Sequence, residues 1–345
     1  TTMFRERDRV HRCRPVEVYM AFRVCTVGCG SLANQAHGPS LRRYADTHGE
    51  VELTACCDVD AARAAAYRET FGFQRAYADV REMLHVEHPD AVCLMAPVEK
   101  TCELSCAIMN LGYPLLMEKP PGLNRHERQE MIAAARKADV PNQVSFNRRY
   151  TPLVLQLRNE LRRRPPEAIQ NLRYDFFRIN RRDADFATTA IHGIDTTRFL
   201  AGADYRHVRF TYQPFPDLGP GIANIFMACE FTSGATGHLN FCPVTGVLIE
   251  RATVTLFDTT FFLNIPIWQA FDTPGRLTQV EKGVVVADSV GDDEPLFIAS
   301  GFYGENESFL DDLRLGRSPV GDIASGLQAV EIADCIRQRR TDYQA

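Results

Sequence analysis

The sequence predicts an α/β domain built on a doubly wound parallel sheet, followed by an α+β domain built on an open, mostly antiparallel sheet. Three observations carry that expectation. Apolar runs alternate with helical segments from Arg23 to about Phe146, and a glycine-rich turn joins the first run to the first helix. Beyond Leu161 the texture shifts to long runs rich in Phe, Tyr, Val, Thr and Ile, punctuated by Gly and Pro. A chain of 345 residues is long enough for two domains, each with its own core.

In the first domain, Val24 to Val27 reads as a buried strand and is followed by a helix through about Tyr44. Glu52 to Cys57 is a second strand, residues 60 to 70 an Ala-rich helix, and Ala91 to Met95 and Leu115 to Met117 further strands. The helix Lys100 to Leu111 between them stops at Gly112, with Pro114 just beyond. Strands that are apolar throughout, not alternating, belong to a sheet covered on both faces. In the second domain, Ile169 to Arg178, His207 to Pro214, Ile222 to Thr232, Ala235 to Phe241 and Leu248 to Leu263 read as strands. One helix is expected from His192 to Ala201 and two near the end, over 303–315 and 322–340. The division is expected at residues 20–147 and 148–345. Residues 1–19 carry five arginines and no apolar stretch, and are expected to form an N-terminal extension, disordered or non-native, with Met20 as the natural start.

Composition excludes several classes of function. Hydrophobic residues make up 45% and charged residues 24%, and 39 Lys+Arg stand against 44 Asp+Glu for a net charge of −5. No global basic field exists to recruit nucleic acid. No apolar run reaches the roughly 18 residues that span a bilayer, so no membrane role is expected. The eleven cysteines are too many to ignore. Most lie in apolar stretches, where a thiol packs as a small hydrophobe, so they read as core thiols of a cytoplasmic protein. No CxxC pair is present and no metal site is expected.

The turn Gly28-Cys29-Gly30-Ser31-Leu32-Ala33 is a G-x-G-x-x-A between a strand and a helix. Its first glycine allows a tight turn and its second lets a pyrophosphate approach the backbone, while the small third residue permits close packing of helix on strand. Asp58 closes the second strand, where a carboxylate can accept hydrogen bonds from an adenosine ribose and repel a 2′-phosphate. NAD is therefore the expected cofactor, with NADP the alternative because Arg63 lies one helical turn away. Met117-Glu118-Lys119-Pro120-Pro121 follows a strand at the ligand-binding edge of such a sheet, and Lys119 is the kind of donor that polarises a carbonyl or stabilises an alkoxide.

These segments, together with DAVCLMAP (90–97), LGYPLLMEKP (111–120), SFNRRYTP (145–152) and AIHGIDTTRFLAG (190–202), make the chain resemble the glucose-fructose oxidoreductase/inositol dehydrogenase (Gfo/Idh/MocA) family. The resemblance implies an N-terminal Rossmann domain and a C-terminal sheet through which copies associate as a homo-dimer or homo-tetramer. It implies cofactor contacts from Gly28, Gly30, Ser31, Leu32, Asp58, Ala96, Pro97, Glu118 and Lys119. It also implies Lys119 and His192 as catalytic residues, and substrate contacts from Lys119, Thr188, His192 and Asp195, with Arg149 and Tyr150 at the domain junction. Thr188 stands where the family pattern has Asp, which puts the substrate and the proton relay in question. The expected activity is NAD(P)-dependent hydride transfer at a secondary hydroxyl or carbonyl of a sugar, sugar derivative or cyclitol. The alternatives are elimination or epimerisation on a sugar with recycled cofactor, and a dinucleotide-binding regulatory protein that has lost catalysis.

Overall fold

Six short strands form a wholly parallel sheet in the order β3-β2-β1-β4-β5-β6. They are β1 (Phe22–Val27), β2 (Val51–Cys57), β3 (Arg75–Tyr77), β4 (Ala91–Leu94), β5 (Leu115–Glu118) and β6 (Asn142–Ser145). The helices between them are α1 (Gly38–Thr47), α2 (Ala61–Phe71), α3 (Val80–Glu87), α4 (Val98–Asn110) and α5 (Arg125–Ala138). The computed structural model describes residues 21–183, 185–268 and 270–345, so the expected extension over 1–19 lies outside the described residues. Local chemistry fixes the ends of these helices. Asp60 accepts hydrogen bonds from the amides of Ala62 and Arg63 to open α2, and Gly72 at φ +74° closes it. Asn124 accepts from Glu127 N to open α5, while the Glu127 carboxylate accepts from Leu123 N, a reciprocal cap.

The second sheet has nine strands in the order β14-β13-β12-β11-β7-β10-β9-β8-β15, antiparallel except where β7 and β10 run side by side. Helix α6 (Pro152–Arg162) precedes β7 (Ile169–Ile179), and α7 (Ala187–Ala201) separates β7 from β8 (Tyr205–Pro214). Then come β9 (Ala223–Phe231), β10 (Thr236–Thr245), β11 (Ile249–Leu256), β12 (Thr259–Asn264), β13 (Arg276–Glu281) and β14 (Val284–Val290). The chain ends with α8 (Leu296–Ala299), α9 (Phe302–Arg314), α10 (Leu327–Arg337) and the short strand β15 (Asp342–Gln344). The run Leu248 to Leu263, expected as one strand, is a hairpin. Asp258, at φ +61°, turns β11 back into β12. The helix expected from His192 begins five residues earlier, at Ala187, which places His192 inside α7 and not at its start.

The packing also departs from the division expected at 147/148. Helix α9 turns back onto the parallel sheet, where Phe309 and Leu310 join Leu41, Tyr44 and Leu116 in one buried cluster. The amide of Val144 on β6 donates to Gly321 O at 2.8 Å, and the Gln143 side chain donates to Glu305 O at 3.0 Å. A late stretch of the chain therefore completes the first domain. The ten described cysteines are free, and eight of them are buried.

Truncating Phe309 to Ala should cost about 3–5 kcal/mol of stability, the usual loss for a buried Phe. Urea unfolding followed by circular dichroism measures it, and a loss below about 1 kcal/mol would show that α9 is dispensable to the first core.

Candidate active site

The glycine turn leaves the end of β1. Gly28 has φ +90°, and a Cβ there would lie 2.3 Å from the Met95 carbonyl oxygen, so no other residue fits. A Cβ on Gly30 would meet nothing within 4 Å, which leaves the backbone open for close approach. Two side chains brace the turn. Asp58 accepts from Cys29 N at 2.9 Å and from Asp60 N at 2.9 Å, tying the end of β2 to the turn. Asn34 donates to the carbonyls of Cys29 and Gly30 at 2.9 and 2.8 Å. The helix that follows opens a π-turn at Ala33–His37, and this extra residue per turn swings His37 inward.

His37 donates from Nε2 to Glu118 Oε1 at 2.8 Å, and Ser145 Oγ donates to the same oxygen at 3.0 Å. Glu118 is held below the usual carboxylate range by His37, Lys119 and Ser145 against the opposing effect of burial. Glu305, from α9, is pushed well above that range by burial and by the neighbouring Glu118 charge. Its Oε1 accepts from Ser145 Oγ at 2.5 Å. His37, Glu118 and Glu305 present ligand-type atoms within 4.8 Å of one another; hydrogen bonds engage His37, Glu118 Oε1 and Glu305 Oε1, while Glu305 Oε2 has no partner among the described residues. The network fixes the residue before Lys119. Lys119 itself donates from Nζ to Thr188 O at 3.1 Å, and burial lowers its pKa to about 8, partly offset by Glu118.

Two cavities meet at this point. The first, of about 660 Å³, is lined by all nine residues expected to hold a cofactor: Gly28, Gly30, Ser31, Leu32, Asp58, Ala96, Pro97, Glu118 and Lys119. The second, of about 300 Å³, is lined by His192 and Arg148 among others, and it shares Leu32, Glu118 and Lys119 with the first. His192 is buried, and its Nδ1 has no hydrogen-bond partner among the described residues. Burial, reinforced by Arg148, Lys119 and Arg178, pushes its pKa well below 6.5, so the imidazole is neutral.

Four of the expected substrate contacts point elsewhere. Arg149 and Asp195 form a buried ion pair, with Arg149 Nε at 2.7 Å from Asp195 Oδ2. Each answers the other's charge inside the protein, so neither lines the second cavity. Tyr150 places its hydroxyl beside Gly321, on the α9 side. The Thr188 hydroxyl donates to Asp185 O at 2.9 Å near the start of α7, leaving only its carbonyl for Lys119. The second cavity is walled instead by residues the sequence reading left out, among them Arg178 at the end of β7, Thr189 and Trp268. Trp268 had one available signal, being the only tryptophan in the chain.

Cys29, inside the turn, is not among the residues lining the first cavity. Its thiol is buried against Cys57 O, and burial together with Cys56 raises its pKa. Iodoacetamide should leave Cys29 unmodified in the folded protein and label it in urea, as read by peptide mass spectrometry. Rapid labelling in the native state would mean that the turn opens.

Residues 22–146 match the family described as an oxidoreductase family with an NAD-binding Rossmann fold. The chain is 29% identical to D-glucoside 3-dehydrogenase of Escherichia coli (strain K12) over 139 residues, 40% of this chain but only 38% of that protein's length. It is 24% identical to myo-inositol 2-dehydrogenase of Thermotoga maritima over 316 residues, 85% of this chain and 86% of the relative. The solved structure of a levoglucosan dehydrogenase in complex with NADH superposes with a TM-score of 0.79 at 17% identity, covering 94% of this chain and 99% of that one. Residues 22–146 thus match the NAD-binding Rossmann domain of the Gfo/Idh/MocA oxidoreductase family, and the two sheets together have the fold of solved structures such as a Gfo/Idh/MocA family oxidoreductase from Vibrio cholerae.

Proposed function

We propose that the protein is an NAD-dependent oxidoreductase, moving hydride between a nicotinamide cofactor and a secondary hydroxyl or carbonyl of a sugar, sugar derivative or cyclitol. The observation that carries this reading is the shared rim. Lys119 lines both cavities, with the glycine turn and Asp58 on one side and His192 on the other. The names of the relatives, a glucoside and an inositol dehydrogenase, support the substrate class.

The first cavity suits a dinucleotide on its own geometry. Gly30 leaves space over the backbone at a helix N-terminus, where a pyrophosphate is favoured. Both Asp58 oxygens already accept amides, but each keeps a lone pair for a ribose hydroxyl. Arg63 Nη1 stands 3.5 Å from Asp58 and is half-exposed, which keeps a 2′-phosphate within reach of a cation. When bound there, the cofactor supplies the hydride acceptor or donor.

The chain's own residues handle the proton. In oxidation, neutral His192 accepts the hydroxyl proton, and the Lys119 cation, steered by Thr188 O, stabilises negative charge growing on the substrate oxygen. In reduction the same groups act as acids. Two or four copies associating across the nine-stranded sheet belong to this reading, supported by the exposed Phe262, Val284 and Val286.

An NAD- and NADP-coupled screen of sugars, sugar acids and inositols, followed by NADH absorbance, tests the proposal, which fails if no such alcohol supports turnover. On the best substrate, Lys119→Ala and His192→Ala should each lower kcat at least about a hundredfold. Wild-type rates in both variants would overturn the assignment.

The pH profile has a definite sign. Lys119 titrates near 8, and its charged form is the useful one, so kcat/KM for oxidation should fall as pH rises through about 8. His192 stays neutral until pH drops well below 6.5, so the profile should be level on the acid side of neutrality. Lys119→Arg should move the alkaline limb upward. A rate that climbs through pH 8 would make Lys119 the base instead.

A further inference from the structure

The second cavity is electrostatically unbalanced. Four cations line it, Lys119, Arg148, Arg178 and Arg181, against one lining carboxylate, Glu118, which His37 already engages. Two more carboxylates stand behind the wall. Glu250 is shared between Arg148 and Arg178, and Asp183 accepts from Arg181 Nε at 2.6 Å at the solvent edge. Four cations thus face three carboxylates, one of which is spent on a histidine.

The imbalance is felt by the groups at the centre. The neighbouring guanidinium groups contribute to the depressed basicity of both Lys119 and His192. Arg181 has donors to spare. Its Nε serves Asp183 and its Nη2 donates to Thr189 Oγ1 at 3.3 Å, while Nη1 makes no hydrogen bond among the described residues. The remaining wall is apolar, from Leu32, Ile179, Leu248, Trp268 and Phe302. A neutral polyol would leave the positive surplus uncompensated in a partly desolvated space, whereas one anionic group would cancel it.

We propose that the substrate is a sugar bearing an anionic substituent, a carboxylate or a phosphate, held by the Arg181 edge of this cavity while its carbinol faces Lys119 and His192. This rests on the reading of the cavity as the site of hydride transfer, and it narrows that reading to acidic sugars.

Matched sets test it: D-glucose, D-glucuronate and D-glucose 6-phosphate, with the corresponding galactose series. Each is assayed for kcat/KM with NAD and, separately, for quenching of the single tryptophan, Trp268, which lines the cavity. An anionic member should exceed its neutral parent at least tenfold in kcat/KM and bind at least tenfold tighter by fluorescence. Whether the carboxylate or the phosphate leads identifies the group. Arg181→Gln should collapse the ratio of anionic to neutral kcat/KM toward unity, mainly through KM, with Arg181→Lys restoring part of it.

Neutral sugars turned over as well as or better than every anionic partner would overturn the proposal while leaving the redox reading intact. Anionic sugars that quench Trp268 in an Arg181-dependent way without forming NADH would uphold the anion site and sink the redox reading.

Discussion

Glu250 is the constraint on which the second cavity depends. It lies on β11, fully buried, and accepts from Arg148 Nε at 3.3 Å and Nη2 at 2.9 Å, from Arg178, and from the Tyr174 hydroxyl at 2.8 Å. Removing a carboxylate from water costs several kcal/mol, and only close, multiple donors offset it. Two guanidinium groups do so here and hold its pKa down to about 2. Arg148 comes from the turn after β6, Arg178 from the end of β7 and Glu250 from β11. One buried charge therefore fixes three chain segments from both sheets around a single point.

The same arrangement sets the chemistry next door. A lone guanidinium would only satisfy Glu250, whereas a second leaves residual positive potential in a space with little water to screen it. That potential adds to the larger effect of burial at Lys119 and His192, favouring an ammonium that can be titrated and an imidazole that stays neutral. The ion cluster that holds the fold together thus also contributes to acid–base tuning. Lys119 is also held from behind, because the chain of Glu305, Ser145, Glu118 and His37 fixes the backbone leading into it.

The lining of the first cavity was legible in the sequence because its determinants are local. Gly28, Gly30, Asp58 and Lys119 sit at strand ends, and a parallel sheet aligns strand ends along one edge, so order along the chain predicts adjacency. The lining of the second cavity was much less legible. Arg149 and Asp195 looked like cleft residues by position, but a buried ion pair between them depends on the rotation of α7 against the turn after β6, which no local pattern encodes. Arg178 and Trp268 reach the cavity through sheet register and a loop path that only the assembled fold reveals. Among the elements, β3 and β6 were missed because they are short, and β6 carries the half-buried Asn142 and the buried Gln143 and Ser145, polar residues held by long-range bonds. Strands β13 and β14 were missed because neither alternates: β13 is half-buried along most of its length, and β14 exposes its apolar start, Val284 to Val286.

Helix α9 gives the chain an order of events. A ribosome delivers the six strands of the parallel sheet first, yet Phe309, Leu310 and Glu305 emerge only after the whole nine-stranded sheet but its last short strand. Until then the nascent first domain exposes the apolar patch around Leu41 and Tyr44, with Ser145 and Glu118 lacking their final partner. The half that reads as the more autonomous unit must therefore wait for a segment far along the chain before its core can close.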